Sequence, residues 1–288
     1  MDITLTDSES VIEDVFSPDS LSTTDSLSSI DEEKESDTDT VEIIQRNGRE
    51  YYGEQLDRYP WPTDLEARGR QCDMHDIALA HFDGHLFHAP IVEEPEKVLD
   101  IGTGIGAWAI DFADVFRHST VTGIDWIYVQ ADLGTPNVNF VLDDFECSKS
   151  GAWVEFGDWV VEVQDLNGPV HQWYTDLQRA LGQYGYNMEL PAMYEDAMQE
   201  KGFGHITLLN HRIPMCLNDP THTITSTALL QCWAQSLEDL SMEPMTLMLG
   251  YSAEYVRELC SSALEAILTG GTNGYLNWRV VYGQVQLA

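Results

Sequence analysis

At 288 residues with 43% hydrophobic content the chain can bury a full core, and a formal net charge of −35 at pH 7 with no Lys or Arg cluster excludes a direct grip on nucleic-acid phosphates. No apolar run approaches a membrane span and Met1 to Ser10 lacks the basic start and apolar centre of a secretory signal, so the chain is expected to be intracellular, cytoplasmic or nuclear, with no membrane partner. Cys72, Cys147, Cys216, Cys232 and Cys260 are odd in number and widely spaced, which fits reduced thiols rather than a disulfide framework or a zinc site.

The first segment, residues 1–45, reads as a disordered acidic tail. Met1 to Thr40 is dense in Ser, Thr, Asp and Glu, has Lys34 as its only basic residue, and carries too few large apolar groups to offset the entropy of ordering. Its acid-flanked serines, Ser8, Ser10 and Ser29, could accept phosphate, and its charge could meet a protein partner. A solubilising role accounts for the same composition. Residues 46–288 then form one domain, in which 46–146 are the cofactor half and 147–288 the substrate-side half.

His75 lies on a helical stretch near the start of this domain. His81, His85 and His88 follow at i, i+4 and i+7, a spacing that would gather imidazoles on one helix face. Asp83-Gly84 falls inside the set and reads as a turn, so the three do not share a face and no metal site is expected.

Val98 to Asp114, VLDIGTGIGAWAIDFAD, carries the most chemistry. Val98, Leu99 and Ile101 make a short buried strand; Gly102, Gly104 and Gly106 make a turn without Cβ atoms; Trp108, Ile110, Phe112 and Ala113 continue as a helix whose free N–H groups face the turn. The spacing is G-x-G-x-G rather than the G-x-G-x-x-G of dinucleotide sites, and Asp100 stands two residues before the first glycine. A carboxylate there repels a pyrophosphate and attracts an amine. S-adenosyl-L-methionine has that amine, a carboxylate for the helix N-terminus, a ribose and no phosphate.

Val121 to Asp125 reads as a second strand ending in an acid suited to ribose hydroxyls, and Trp126 beside it could stack on adenine. Val138 to Leu142 reads as a third, ending in Asp143-Asp144, where a carboxylate could accept from the adenine amino group. Further on, Trp153 to Val163 reads as a strand whose Gly157, Asp158 and Asp165 mark an irregular edge. Helices are expected at Val170 to Tyr184, Tyr194 to Lys201, Thr227 to Leu240 and Ala253 to Thr269, with strands at Phe203 to Pro214 and Trp278 to Gln286.

The segments YPWPTDLEARGRQCDMH, FDGHLFHAPI, VLDIGTGIGAWAIDFAD, VTGID and PNVNFVLDD together resemble the LaeA-like fungal class I methyltransferases of secondary metabolism, as do the later NDPTH and LGYSAEYVRELC. The resemblance covers most of the chain after about residue 50 and implies a Rossmann-like α/β sheet with helices on both faces. It also implies that Asp100, Gly102, Gly104 and Gly106 hold the methionine end, Asp125 the ribose, and Asp143 or Asp144 the adenine. By the same resemblance DGHLFHAP is a cover over the cofactor loop, a helical insertion covers the substrate side, and two antiparallel strands close the sheet.

One departure bears on function. The family has a helix, a fourth strand and a further helix, about forty residues, between its third strand and a K-P-G-G-W-x-E-F turn. Here the chain runs from Asp144 through FECS almost directly to Lys149-Ser150-Gly151-Ala152-Trp153-Val154-Glu155-Phe156, too short for a parallel crossover. The sheet is therefore expected to lack its central fourth strand, and the strand at Val98 to Ile101 either pairs with that at Trp153 to Val163 or exposes an edge. The chain is either a degenerate relative or the product of a gene model that skipped coding material.

Two functions follow. One is an S-adenosylmethionine-dependent methyltransferase acting on a small-molecule acceptor in fungal secondary metabolism. The other is a catalytically impaired relative serving as a regulatory or binding partner. Methyl transfer chiefly needs alignment of a nucleophile and exclusion of water, so no catalytic side chain is assigned; His75, His171 and Tyr275 are polar groups for which packing or surface roles are the default.

Overall fold

The computed structural model describes residues 42–127, 135–141 and 151–286. The chain enters through a hairpin, β1 (Ile43–Arg46) and β2 (Arg49–Tyr52), whose two-residue turn Asn47-Gly48 takes φ of 52° and 85°. Positive φ at both positions is what a hairpin turn matched to strand twist requires, and Asn-Gly meets it at little cost. β1 thus begins inside the segment expected as tail. Residues 1–41, with the acid-flanked serines, lie outside the described residues.

Arg49 ties the hairpin to the domain. Its Nε and Nη2 donate to Asp64 at 2.6 and 2.7 Å, and its Nη1 donates to Asp239, which also receives Arg70. Asp64 in turn caps the helix α1 (Leu65–His81) by accepting the Ala67 N–H at 2.9 Å. Because Arg49 and Asp64 are each only 15% exposed, losing either would leave a poorly solvated charge behind.

β3 (Lys97–Ile101), α2 (Ala107–Val115), β4 (Thr120–Ile124) and β5 (Val138–Val141) form the expected strand–turn–helix unit and a parallel sheet in the order β3-β4-β5. α2 lays Ala109, Phe112 and Ala113 against Val121 of β4. The DGHLFHAP segment packs against this helix next to the glycine turn. Leu86 and Phe87 pack into the α2 cluster, the Trp108 Nε1–H donates to the Leu86 carbonyl at 2.7 Å, and the His88 and Ala89 N–H groups donate to Glu155 at 2.8 and 2.7 Å.

The remaining elements are β6 (Trp153–Val163), α3 (Pro169–Gln183), α4 (Leu190–Glu200), β7 (Gly204–Pro214), α5 (Ile224–Gln235), α6 (Leu237–Leu249), α7 (Ala253–Thr269) and β8 (Gly274–Gln284). They correct several expectations. The helix expected at Thr227 to Leu240 is two, parted at Ser236, whose N–H turns back to the Trp233 carbonyl. Gly157 and Asp158 do not roughen β6, which pairs with β8 in unbroken register. Gly157 is needed because a Cβ there would lie 2.5 Å from Trp278. The irregularity falls in β7, between Gly204 and Thr207.

β6, β8 and β7 form a second, antiparallel sheet in that order instead of closing the first. Among the described residues β3 pairs with β4 alone and β6 with β8 alone, so of the two outcomes expected for β3 the unpaired edge is the one found. The fourth strand of the resemblance has no counterpart there. Most of the core belongs to the second half, where Trp173 and Leu177 of α3, Leu229 and Trp233 of α5, Met245 of α6 and Ile267 of α7 are all buried. Burying each such side chain stabilises the fold by about 1.5–3 kcal/mol. The Trp173 indole spends its one donor on Ser241 Oγ at 2.7 Å, so the ring is buried without an orphaned N–H.

Candidate cofactor site

β3 delivers Asp100 to the mouth of the turn, and the turn reverses through Gly102, Gly104 and Gly106 at φ of 71°, 54° and 83°. Glycine adopts these angles without the Cβ–carbonyl clash that other residues meet. A side chain is excluded at Gly106 for a second reason, since its Cβ would stand 2.4 Å from Phe140 Cζ. At Gly102 a Cβ would meet nothing within 4 Å, so the backbone there is open to a ligand.

Side chains fix the turn from both strands. The Thr103 hydroxyl donates to Asp100 Oδ2 at 2.6 Å, and the Gly104 N–H donates to Asp125 Oδ2 at 2.7 Å. The Gly102 and Thr103 N–H groups donate to the Ile124 carbonyl at 2.8 and 3.0 Å. Burial raises the Asp100 pKa, the Thr103 hydrogen bond opposes that rise, the like charge of Asp125 adds to it, and His75 works against it. The charge of Asp125 beside Asp100 favours a cationic or hydrogen-bond-donating ligand there.

Upstream residues close over the turn. Gln71 of α1 sets its Oε1 3.1 Å from where a Gly104 Cβ would be, and Tyr59, hydrogen-bonded to Gln71, is held above the ordinary phenol range by burial and then by Asp125. Neither was identifiable by spacing, because the hairpin and α1 must fold before either side chain is near the glycines. His75 bonds Asp111 of α2 at 2.9 Å, so it staples two helices. Trp126 follows Asp125 and is 44% exposed, available to stack. Asp143 and Asp144 lie outside the described residues.

The other polar candidates do not converge on the turn. Tyr275 sits under the Arg212 guanidinium, 5.5 Å from its ring centroid, and His171 lies on α3. His81 bonds Thr225, His85 its own turn's Phe82 carbonyl, and His88 Glu155, so the three histidines point to three partners. No group of three metal-ligating side chains is found among the described residues. No helix among them is long and apolar enough to cross a membrane.

A parallel order β3-β4-β5 with a glycine turn after β3 and acids at the ends of β3 and β4 is the arrangement that the sequence resemblance implies for the cofactor half. Known sequences agree. The chain is 36% identical over 149 residues to Secondary metabolism regulator LAE1 of Cochliobolus heterostrophus, a match covering 47% of each chain and so about half the length of that relative. It is 24% identical over 281 residues to Methyltransferase pytC of Aspergillus terreus, covering 83% of this chain and 87% of that one. It is 23% identical to Secondary metabolism regulator laeA of Aspergillus niger, covering 75% and 69%. Among solved structures, Haemonchus contortus phosphoethanolamine N-methyltransferase 2 in complex with S-adenosyl-L-methionine aligns at TM-score 0.49 and 17% identity, over 81% of this chain and 60% of that one. No family model matches. By these likenesses the chain is similar to LaeA-like regulators and to a fungal methyltransferase over most of its length.

Proposed function

We propose that this chain transfers a methyl group from S-adenosyl-L-methionine to a small molecule of fungal secondary metabolism. The observation that carries this is the glycine turn pinned between Asp100 and Asp125, with the Gly104 N–H on the Asp125 carboxylate and open space above Gly102. The donor set fits the cofactor: Asp100 would take its amino group, the turn and the α2 N-terminus its carboxylate, Asp125 its ribose hydroxyls, and Trp126 with Asp143 or Asp144 its adenine. When bound, the cofactor supplies an electrophilic methyl carbon. The protein's task is then to hold the acceptor in line with that carbon and keep water out, which Tyr59 and Gln71 support from their place over the turn.

A second reading is favoured by the unpaired edge of β3, where the family resemblance has a central strand. In it the chain binds cofactor without turnover and serves as a regulatory partner. Titration of the full chain with S-adenosyl-L-methionine, followed by incubation with cofactor carrying a labelled methyl and a fungal small-molecule extract, separates them. Label in a small molecule supports methyl transfer. Heat of binding with no label in any small molecule overturns it in favour of the second reading, and no heat at all overturns both.

A further inference from the structure

A cavity of about 250 Å³ lies between β6 and the α3–α4 connection, apart from the glycine turn. Trp159, Tyr174, Tyr186 and Tyr194 supply aromatic surface to it, Met188 adds a polarisable thioether, and Asp158 is the one ionisable group besides the tyrosines. Among the described residues no lysine, arginine or histidine lines it. Asp158 stands in the middle of β6, and among the described residues its side chain's one hydrogen bond is from Tyr194 Oη to its Oδ2 at 2.6 Å. Burial raises the Asp158 pKa, and the Tyr194 bond only partly offsets this. A carboxylate in that position gains from a second donor, and most from a cationic one.

The cavity also adjoins the cofactor site. Tyr186, on its wall, packs edge-on to Trp61 at 5.0 Å between ring centroids, and Trp61 packs edge-on to Tyr59 at 5.1 Å. Tyr59 and Tyr186 both feel the charge of Asp125. A continuous aromatic ladder therefore runs from the ribose acid to the cavity.

From this geometry we infer that the cavity is the acceptor pocket and that it takes a small ring-bearing amine, its ring among the aromatic side chains and its nitrogen toward Asp158. Aromatic faces present negative charge density to a cation, one carboxylate faces them, and among the described residues no basic side chain lines the cavity. The net charge of −35 steers cations toward the molecule at the same time. The volume lies below the ~300–1,000 Å³ of most ligand sites and so admits a single ring system. Naming the occupant as the methyl acceptor rests on the methyl-transfer proposal, whereas selectivity for an amine does not.

The test is calorimetric titration of the full chain with phenethylamine, 2-phenylethanol and 3-phenylpropanoate, which share a ring and differ in charge. Phenethylamine is expected to bind about tenfold more tightly than 3-phenylpropanoate, with the alcohol between. Asp158→Asn, which can still accept the Tyr194 hydroxyl, is expected to bring amine and acid within about twofold at an unchanged thermal midpoint. Equal affinities in the parent chain, or a folded Asp158→Asn variant that keeps the preference, overturn the inference. Should Asp158→Asn fail to fold, Met188→Trp decides, because filling the cavity must abolish amine binding and retained affinity overturns the site. S-adenosyl-L-methionine is titrated separately: cofactor binding without amine preference defeats this inference alone, and amine preference without cofactor binding defeats its acceptor role together with the methyl-transfer proposal.

Discussion

The Gly104 N–H donates to Asp125 Oδ2 across 2.7 Å, so the acid that ends β4 also holds the turn that follows β3. In the proposed cofactor site, recognition and loop conformation would therefore share one side chain. Asp125→Ala removes the clamp and, in the proposed site, the ribose acceptor as well, and a charged hydrogen bond of this kind is worth about 1.5–3 kcal/mol. Affinity for S-adenosyl-L-methionine is expected to fall about tenfold to a hundredfold in calorimetry. Unchanged affinity would place the cofactor elsewhere.

Gly106→Ala is expected to destabilise the fold by about 2 kcal/mol or more, because the residue has φ of 83° and its Cβ would meet Phe140. The two causes are separable. Phe140→Leu shortens the opposing side chain, so in that background the cost should shrink to the backbone part alone. A double-mutant cycle in urea measures the difference, and a coupling energy of zero would show that Phe140 is not the obstacle.

The Arg49 hydrogen bond is the largest cause lowering the Asp64 pKa, from 3.8 to about 2. A depressed acid contributes stability that is present above 3.8 and is lost as pH falls through about 2. Unfolding midpoints should therefore drop over that window in the parent chain and drop less in Asp64→Asn. Arg49→Ala is expected to cost about 3 kcal/mol at neutral pH, since Asp64 and Asp239 lose a shared partner. An Asp64→Asn variant with the same acid profile as the parent would assign the pH dependence to other carboxylates.

Placing a helix-strand-helix segment of about forty residues between Glu146 and Lys149 should raise the thermal midpoint, because it supplies the strand that the β3 and β6 edges lack. Turnover should rise with it if the missing unit limits catalysis. A lower midpoint in the extended chain would mean that the two half-sheets are better as they are.

The cofactor half was legible because its signals are local: an apolar run, three glycines and an acid at fixed spacing make strand, turn and helix wherever they occur. The hairpin at Asn47-Gly48 was not read, although the turn dipeptide announces it, because its first strand starts inside the segment assigned to the tail. Asp158 was not. In sequence it interrupts an apolar strand, and its worth comes from Tyr194 on a helix packed across it. The break at Ser236 was hidden too, since apolar periodicity runs on from α5 into α6 and nothing as strong as proline marks the join. Gln71 and Tyr59 reach the turn through tertiary packing, which no spacing encodes.

The uneven division of the core has a consequence for how the molecule opens. The parallel sheet rests on a cluster whose buried members are Ala109, Phe112, Ala113 and Val121, while α3, α5, α6 and α7 gather around a much larger one. Local opening costs least where the fewest apolar side chains are exposed, so amide hydrogens of β3, β4 and β5 are expected to exchange before those of α7 or β8. A ligand that binds only the closed form draws that equilibrium back in proportion to its concentration over its Kd. If the cofactor binds at the glycine turn as proposed, its supply would set the protease resistance of that half more than that of the helical half.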